Sequence, residues 1–304
     1  DDDDDECVRV LPFDDASSGR SGPARRGGRT YVMAILNVTP DSFSDGGALP
    51  DVDAAVRAAD EALRNGADVV DVGGESTRPG AEPVSIDEEF RRVEGVVTAL
   101  RRHFGRDELC LSLDTRRAAV VEALATEIDV VNDVSGGTFD PRMASVLAAH
   151  HPHLAYVAMH ARGTPVDMQR RVDYASVVDD VAAELRTHSL EALTEAGVAP
   201  WRIVVDPGIG FAKTFAQNVA VLGELDRFKA LFDDQFPLLV GPSRKGFIGD
   251  LLGGGTVAPE QRDWGTAGAC CAAVPAADIV RVHEVRGIKQ ALLVTDAVRR
   301  RRES

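Results

Sequence analysis

The sequence predicts an α/β fold, a single (β/α)8 barrel of the TIM type preceded by a disordered acidic N-terminal segment, and three observations carry that reading. Eight short apolar runs, mostly β-branched, recur along the chain, as a parallel sheet buried on both faces requires. Each run is followed by a longer segment of helical periodicity, the crossover that parallel strands need, and no second sheet pattern accompanies them. The length of 304 residues is large for an ordinary domain and typical of an α/β barrel. An open doubly wound sheet is the competing architecture, and the absence of G-x-G-x-x-G from the first β-to-α turn counts against it.

Residues 1–29 are charged, contain Gly, Ser and Pro, and carry too little apolar area to offset the entropy of ordering. They read as a flexible linker or tail, with the barrel over 30–304 and the Asp1-to-Asp5 run as a solvated spacer rather than an acidic arm. Strands are expected at 31–38, 68–74, 109–115, 128–134, 153–160, 201–208, 236–243 and 278–285. After the first, Val52, Val56, Ala59 and Leu63 form a helical stripe closed by Gly66. After the second, Ile86, Phe90, Val93, Val97, Leu100 and Phe104 form another, opened by a capping box from Ser85 to Glu88. Asp140-Pro141 reads as an N-cap and N1 pair after the fourth strand. Trp264 to Pro275 is rich in small apolar residues suited to helix packing, inside the subunit or between subunits.

Composition narrows the function classes. With 44% hydrophobic and 27% charged residues the chain is neither disordered nor collagen-like, and a net charge of −15 argues against nucleic-acid binding. Cys7, Cys110, Cys270 and Cys271 form no C-x-x-C pair and have no His at zinc-ligand spacing, so a disulfide framework and a structural metal are not expected. The longest stretch free of Asp, Glu, Lys and Arg, Met143 to Ala161, is interrupted by His150, His151, Pro152 and His153, so no membrane span is expected. These histidines read as incidental. A chain starting at Asp1 without Met reads as a piece of a longer polypeptide, and without a signal region the cytoplasm is the expected location, or a mitochondrion or plastid in a eukaryote.

In such a barrel the site lies at the C-terminal ends of the strands. Those ends carry Asn37 and Asp41; Glu75, Thr77 and Arg78; Asp114; Asn132; Met159 and His160; Asp206; Ser243, Arg244 and Lys245; and Arg281 and His283. One such residue is explained as a helix cap, but His160, Lys245, Arg281 and His283 are not capping types. Ser243-Arg244-Lys245-Gly246 and Arg281-x-His283 follow strands seven and eight, where barrels of this class often bind phosphate, and local cations in so acidic a chain imply an anionic ligand. Asp114, Asn132 and Asp206 suit a heterocycle presenting N–H donors; a divalent metal or acid/base work are alternatives that sequence alone leaves open. Two Gly/Pro/Ser/Thr-rich turns, Thr39 to Gly47 with Phe43 and Gly73 to Gly80 with Arg78, read as lids or as ordinary surface turns.

The segments MAILNVTPDSFSDGG (33–47), DVGGESTRPGA (71–81), SLDT (112–115), VNDVSGG (131–137), MHARGTPVDMQ (159–169), DPGIGFAK (206–213), GPSRKGFIG (241–249) and RVHEV (281–285), in this order, closely resemble the dihydropteroate synthase family of folate biosynthesis. The resemblance implies a transferase that condenses 6-hydroxymethyl-7,8-dihydropterin diphosphate with 4-aminobenzoate, with Mg²⁺ assistance, and that is a sulfonamide target and a homodimer. It implies that Asp114, Asn132, Met159, Asp206 and Lys245 hold the pterin, and that Asn37, Thr77, Arg281 and His283 meet the diphosphate, with Asn37 also on the metal. Thr77, Arg78, Pro79, Phe211, Ser243 and Lys245 would form the aminobenzoate pocket, and Asp114, Asp206, Lys245, Arg281 and His283 would carry the reaction. Ala34 and Ala161 depart from the usual family pattern, which bears on fine packing rather than on activity. The segment 6–12 resembles the connector that precedes this synthase in eukaryotic polypeptides fused to hydroxymethyldihydropterin pyrophosphokinase. Two alternatives share the barrel: the pterin-binding domain of corrinoid methyltransferases, which would need neither the 39–47 loop nor the Arg281-x-His283 pair, and a non-catalytic pterin-binding homologue, which degraded anion residues would favour.

Overall fold

Apolar β-branched runs bounded by turn residues make the strands, and the segments between them wind back as helices over the outside. The computed structural model describes residues 29–39, 51–77, 80–150, 153–254 and 256–303; the tail over 1–28, most of the 39–47 loop with Asp41 and Phe43, Arg78, Pro79 and His151 lie outside the described residues. The strands are β1 (Tyr31–Asn37), β2 (Val69–Gly73), β3 (Cys110–Asp114), β4 (Val130–Asp133), β5 (Ala155–Met159), β6 (Ile203–Asp206), β7 (Leu239–Val240) and β8 (Ile279–Val282). All neighbours pair in parallel, in the order β6-β5-β4-β3-β2-β1-β8-β7, and a bridge between Val205 and Leu238 closes the sheet on itself. The closing seam is short for a chemical reason: Pro237 and Pro242 flank β7 and have no N–H to give the ladder, although the Pro237 carbonyl still accepts from Val205 N–H at 2.9 Å. The run expected over 236–243 therefore forms a strand of only two residues, Leu239–Val240, with Leu238 bridging to Val205.

Alternation along the strands sorts the side chains. Met33, Val69, Val130, Ala155, Val157, Val204, Leu239 and Ile279 fill the barrel interior, while Leu36, Val70, Val72, Leu111, Leu113, Val131, Tyr156, Val205 and Val240 pack outward against the helices. Two residues beyond an interior position lies another, so Asp71 follows Val69, Asn132 follows Val130, Met159 follows Val157, Asp206 follows Val204 and Arg281 follows Ile279 toward the C-terminal mouth. At the other end the polar groups are structural. Asp68, Asp129 and Asp278 each precede a strand, accept a backbone N–H from the neighbouring one (Val32, Leu111 and Leu238) and pair with Lys289, Arg101 and Lys229.

The helices are α1 (Val52–Arg64), α2 (Ile86–His103), α3 (Ala118–Leu124), α4 (Met143–His150), α5 (Val177–Leu185), α6 (Glu191–Glu195), α7 (Phe215–Gly223), α8 (Leu225–Ala230), α9 (Gly246–Gly253), α10 (Asp263–Ala273) and α11 (Val285–Glu303). Gly66 follows α1 at φ +96°, as its stop signal requires. Asp140 caps as expected, accepting from Arg142 N–H at 3.0 Å, with the helix itself starting at Met143. The α2 stripe differs in its first turn. Ser85 accepts from Glu88 N–H, but the Glu88 carboxylate turns to Arg92 instead of completing the box, Ile86 is exposed, and Glu89 is buried in its place. The reason is electrostatic, because Glu89 meets Arg117 and accepts from Thr115 Oγ1 at 2.6 Å.

Candidate active site

Register assembles the mouth. Asn37 lies beside Gly73, Gly73 beside Asp114 and Asp114 beside Asn132, one row across β1 to β4, and Met159 lies beside Asp206 on β5 and β6. Arg281 reaches across from β8: its Nε donates to Asp71 Oδ2 at 2.6 Å and its Nη2 to Asp114 Oδ2 at 2.7 Å. Asn132 Nδ2 donates to the same Asp71 oxygen at 2.9 Å. One guanidinium thus bridges two carboxylates, and the Asn132 amide donates to one of them. Asp71 Oδ1 and Ser112 Oγ, on residues adjacent in register, are buried without a hydrogen-bond partner, a polar spot that a ligand or its water can satisfy. Burial pushes the Asp114 carboxyl up to about 7, with Arg281 opposing.

The opposite wall carries the lysine. Asp206 is buried, its Oδ1 accepts from Gly208 N–H at 2.7 Å, and burial raises its carboxyl with Lys245 as the first opposing charge. Lys245 donates to the Ile209 carbonyl and stands 4.7 Å from the centre of the Phe211 ring, and burial brings its ammonium down to about 8. Ser243 Oγ accepts from His283 N–H at 3.1 Å and lies 2.9 Å from His283 Nδ1. The hydroxyl can give its one proton to Nδ1 or, with its second lone pair, accept from an Nδ1–H, so the contact ties the imidazole to the serine in either tautomer.

Several expected site residues are engaged elsewhere. Arg244 pairs through Nε and Nη2 with Asp263 at 2.8 and 2.9 Å, turned toward α10 by a φ of +58°, so it leaves the cation cluster that its sequence position implied. Glu75 is an anchor: Arg116 and Arg117 hold it at 3.1 and 3.0 Å, and it accepts from Val84 N–H, which fixes the start of the loop whose half-buried Thr77 follows. Arg281 is not set apart from the acids, as a purely phosphate-facing arginine would be, but bonded to them. Sequence reading passed over Asp71 as a site residue, although the period of two from Val69 marks it as facing inward.

His160 also faces protein. Its Nε2 lies 3.0 Å from Glu184 Oε2 and its Nδ1 3.2 Å from Lys213 Nζ, and burial with the Lys213 charge lowers the imidazole to about 4. The folded value lies below the ordinary 6.5, so an unfolded chain takes the proton first and the stability present above pH 6.5 is lost as pH falls toward 4. By pH 5 the loss is about 2 kcal/mol. Asp114, raised in the folded state, works in the opposite direction over about pH 7 to 4, so the contribution is read by difference. The stability gap between the parent and His160→Asn, from denaturant titrations, is expected to shrink by about that amount between pH 7 and pH 5. A gap independent of pH would contradict the neutral assignment.

Comparison with known proteins places this geometry. A family model described as pterin binding enzyme matches residues 33–283. A dihydropteroate synthase of Synechocystis sp. is 45% identical over 274 residues, covering 90% of this chain and 91% of that protein. Among solved structures, a dihydropteroate synthase from Clostridium difficile in the presence of pteroic acid superposes with a TM-score of 0.81 at 39% identity, covering 90% of this chain and 98% of that one. The Xanthomonas albilineans dihydropteroate synthase with 4-aminobenzoic acid does so with a TM-score of 0.79 at 39% identity, covering 89% and 93%.

Proposed function

The chain belongs to the pterin-binding enzymes and, among them, to the dihydropteroate synthases, and from this we infer that it is a transferase condensing 6-hydroxymethyl-7,8-dihydropterin diphosphate with 4-aminobenzoate to give 7,8-dihydropteroate and diphosphate. The observation that carries the reading is the mouth itself, where Asp114 and Asn132 stand side by side on β3 and β4 and Asp206 ends β6, with Arg281 and Lys245 at hand. The methyltransferase-type and non-catalytic alternatives are not favoured, because the Arg281 and Ser243–His283 groups are intact and the relatives above are synthases.

Roles follow from chemistry. Carboxylates accept paired donors, so Asp206 and Asp114, with Asn132, hold the amino and N–H edge of the pterin, against Met159 and Lys245. Ser243, Phe211 and Lys245, with Thr77 and the loop residues Arg78 and Pro79, receive the aminobenzoate, its carboxylate meeting Ser243. Asn37, Arg281 and His283 face the diphosphate. Among the described residues no group of three His, Cys, Asp or Glu could cage a metal. A lone amide oxygen at Asn37 fits Mg²⁺, which keeps most of its waters and binds largely through substrate phosphates, where it would neutralise leaving-group charge. Diphosphate release is the test: it should require both substrates together. No release above background with both present would overturn the assignment.

A homodimer is proposed on the exposed apolar face of α9, α10 and α11, where Leu251, Leu252, Leu293, Val294 and Val298 accompany Trp264, which is 87% exposed. Trp264→Asp is expected to shift sedimentation from twice the chain mass to the single mass; a parent that sediments as a monomer would contradict it.

A further inference from the structure

The loop after β6, residues 207–213, leads from Asp206 to Phe211, and side chains from elsewhere hold its backbone. Gly210 N–H donates to Asn218 Oδ1 at 2.6 Å, Ala212 O accepts from Tyr174 Oη at 2.9 Å, and Ile209 O accepts from Lys245. The Gly208 and Phe211 carbonyls both accept from Lys213 Nζ, at 3.1 and 3.2 Å. Gly208, Gly210 and Ala212 sit at φ of +69°, +82° and +46°. For an alanine that conformation is strained, and it persists only where the surroundings over-determine it. At Gly208 no side chain is possible, since a Cβ would come within 2.0 Å of the His160 carbonyl oxygen.

Lys213 is buried, and its third proton faces His160 Nδ1 at 3.2 Å. An ammonium only donates, so Nδ1 accepts and the imidazole proton sits on Nε2, donating to Glu184. Glu184 is in turn gripped by Arg162, whose guanidinium stacks 3.7 Å from the centre of the Tyr174 ring. The chain from Arg162 through Glu184 and His160 to Lys213 therefore ends on the loop carbonyls, and none of the roles assigned above uses it.

We propose that Lys213, fixed by His160 and Glu184, is a positioning residue for the aminobenzoate half of the site: it holds the 207–213 loop so that Phe211 stands beneath Lys245. The inference rests on the synthase reading. Asp206 keeps Lys245 as its first counter-charge when Lys213 is removed, so the pterin half changes little.

The test compares Lys213→Met, His160→Leu and His160→Asn with the parent. Asn places an oxygen where Nδ1 was and still accepts from Lys213, whereas Leu does not. Lys213→Met and His160→Leu should raise the KM for 4-aminobenzoate about tenfold or more, the scale of one lost charge-assisted hydrogen bond, with the Kd for the pterin diphosphate within about threefold. His160→Asn should stay within about threefold of the parent on both. An unchanged KM in His160→Leu, or a pterin Kd that moves together with the KM, overturns the proposal. Should Lys213→Met not fold, the two His160 variants decide alone. A parent that releases no diphosphate defeats the synthase reading itself, whereas an active parent with indifferent variants defeats only this inference.

Discussion

Asp206→Asn is expected to weaken binding of the pterin diphosphate by about 2 to 5 kcal/mol, the usual cost of removing one charge from a buried hydrogen-bonded pair. Asp206 is 5% exposed, and one of its oxygens is already committed to Gly208 N–H. An asparagine oxygen can keep that backbone bond, so the 207–213 loop should survive the change. What is lost is the second charged acceptor for the ring and the counter-charge that holds the Lys245 and Lys213 ammoniums in a buried place. Those two lysines should then lose protons more readily, so the defect should deepen as pH rises toward 8, where Lys245 titrates. Calorimetric titration of the parent and variant at pH 6.5 and 8 checks both points. Equal affinities at either pH would remove Asp206 from the pterin site.

The barrel was legible because buried parallel strands leave near-continuous apolar runs, and those runs fall on all eight strands. Their ends were less so, since pairing rather than apolarity sets them, and at β7 two prolines cut the ladder. The α2 stripe failed at Ile86 and Glu89 for a related reason: a buried ion cluster with Arg117 and Glu75 outweighed the local apolar preference, and nothing in a periodicity argument records a partner 28 residues away.

Strand-end position put Asp114, Asn132, Asp206, Lys245, Arg281 and His283 at the mouth, where they lie, because in this fold position implies the mouth. Direction was harder to read. Arg244 sits between two inward-facing neighbours yet leaves for Asp263 on a left-handed backbone, and Glu75 is claimed by two arginines of the next loop. Asp71 was missed because it lies deeper in the strand, inside what reads as an apolar run; only the period of two, counted from Val69, distinguishes it. His160 looked like a strand-end ligand and proved to be an internal connector, as its partners Glu184 and Lys213 come from remote parts of the chain.

Arg281→Ala is expected to lower turnover by roughly 10² to 10³, the scale for one preorganised donor aimed at developing charge. We propose that the reaction is a dissociative substitution. An aromatic amine is neutral at pH 7 and needs no base, so the barrier lies in breaking the bond from the methylene carbon to the diphosphate oxygen. Arg281 bridges Asp71 and Asp114. When Asp114 accepts donors from the pterin through its other oxygen, Arg281 keeps the Asp71 bond as a pivot that holds the guanidinium at the mouth. One residue then serves both charges: Arg281, with His283, stabilises the departing diphosphate, and the acids it braces stabilise the electron-poor methylene through the ring. Alanine would remove the cation and leave Asp71 and Asp114 facing each other unshielded, so turnover should be measured at saturating substrates and the pterin Kd separately. Deuterium on the reacting methylene should give a secondary isotope effect clearly above unity on the chemical step, because that carbon flattens before the amine arrives. A value near unity would indicate a tight displacement in which the amine pushes the diphosphate out, and would defeat this mechanism even if Arg281→Ala were as slow as expected.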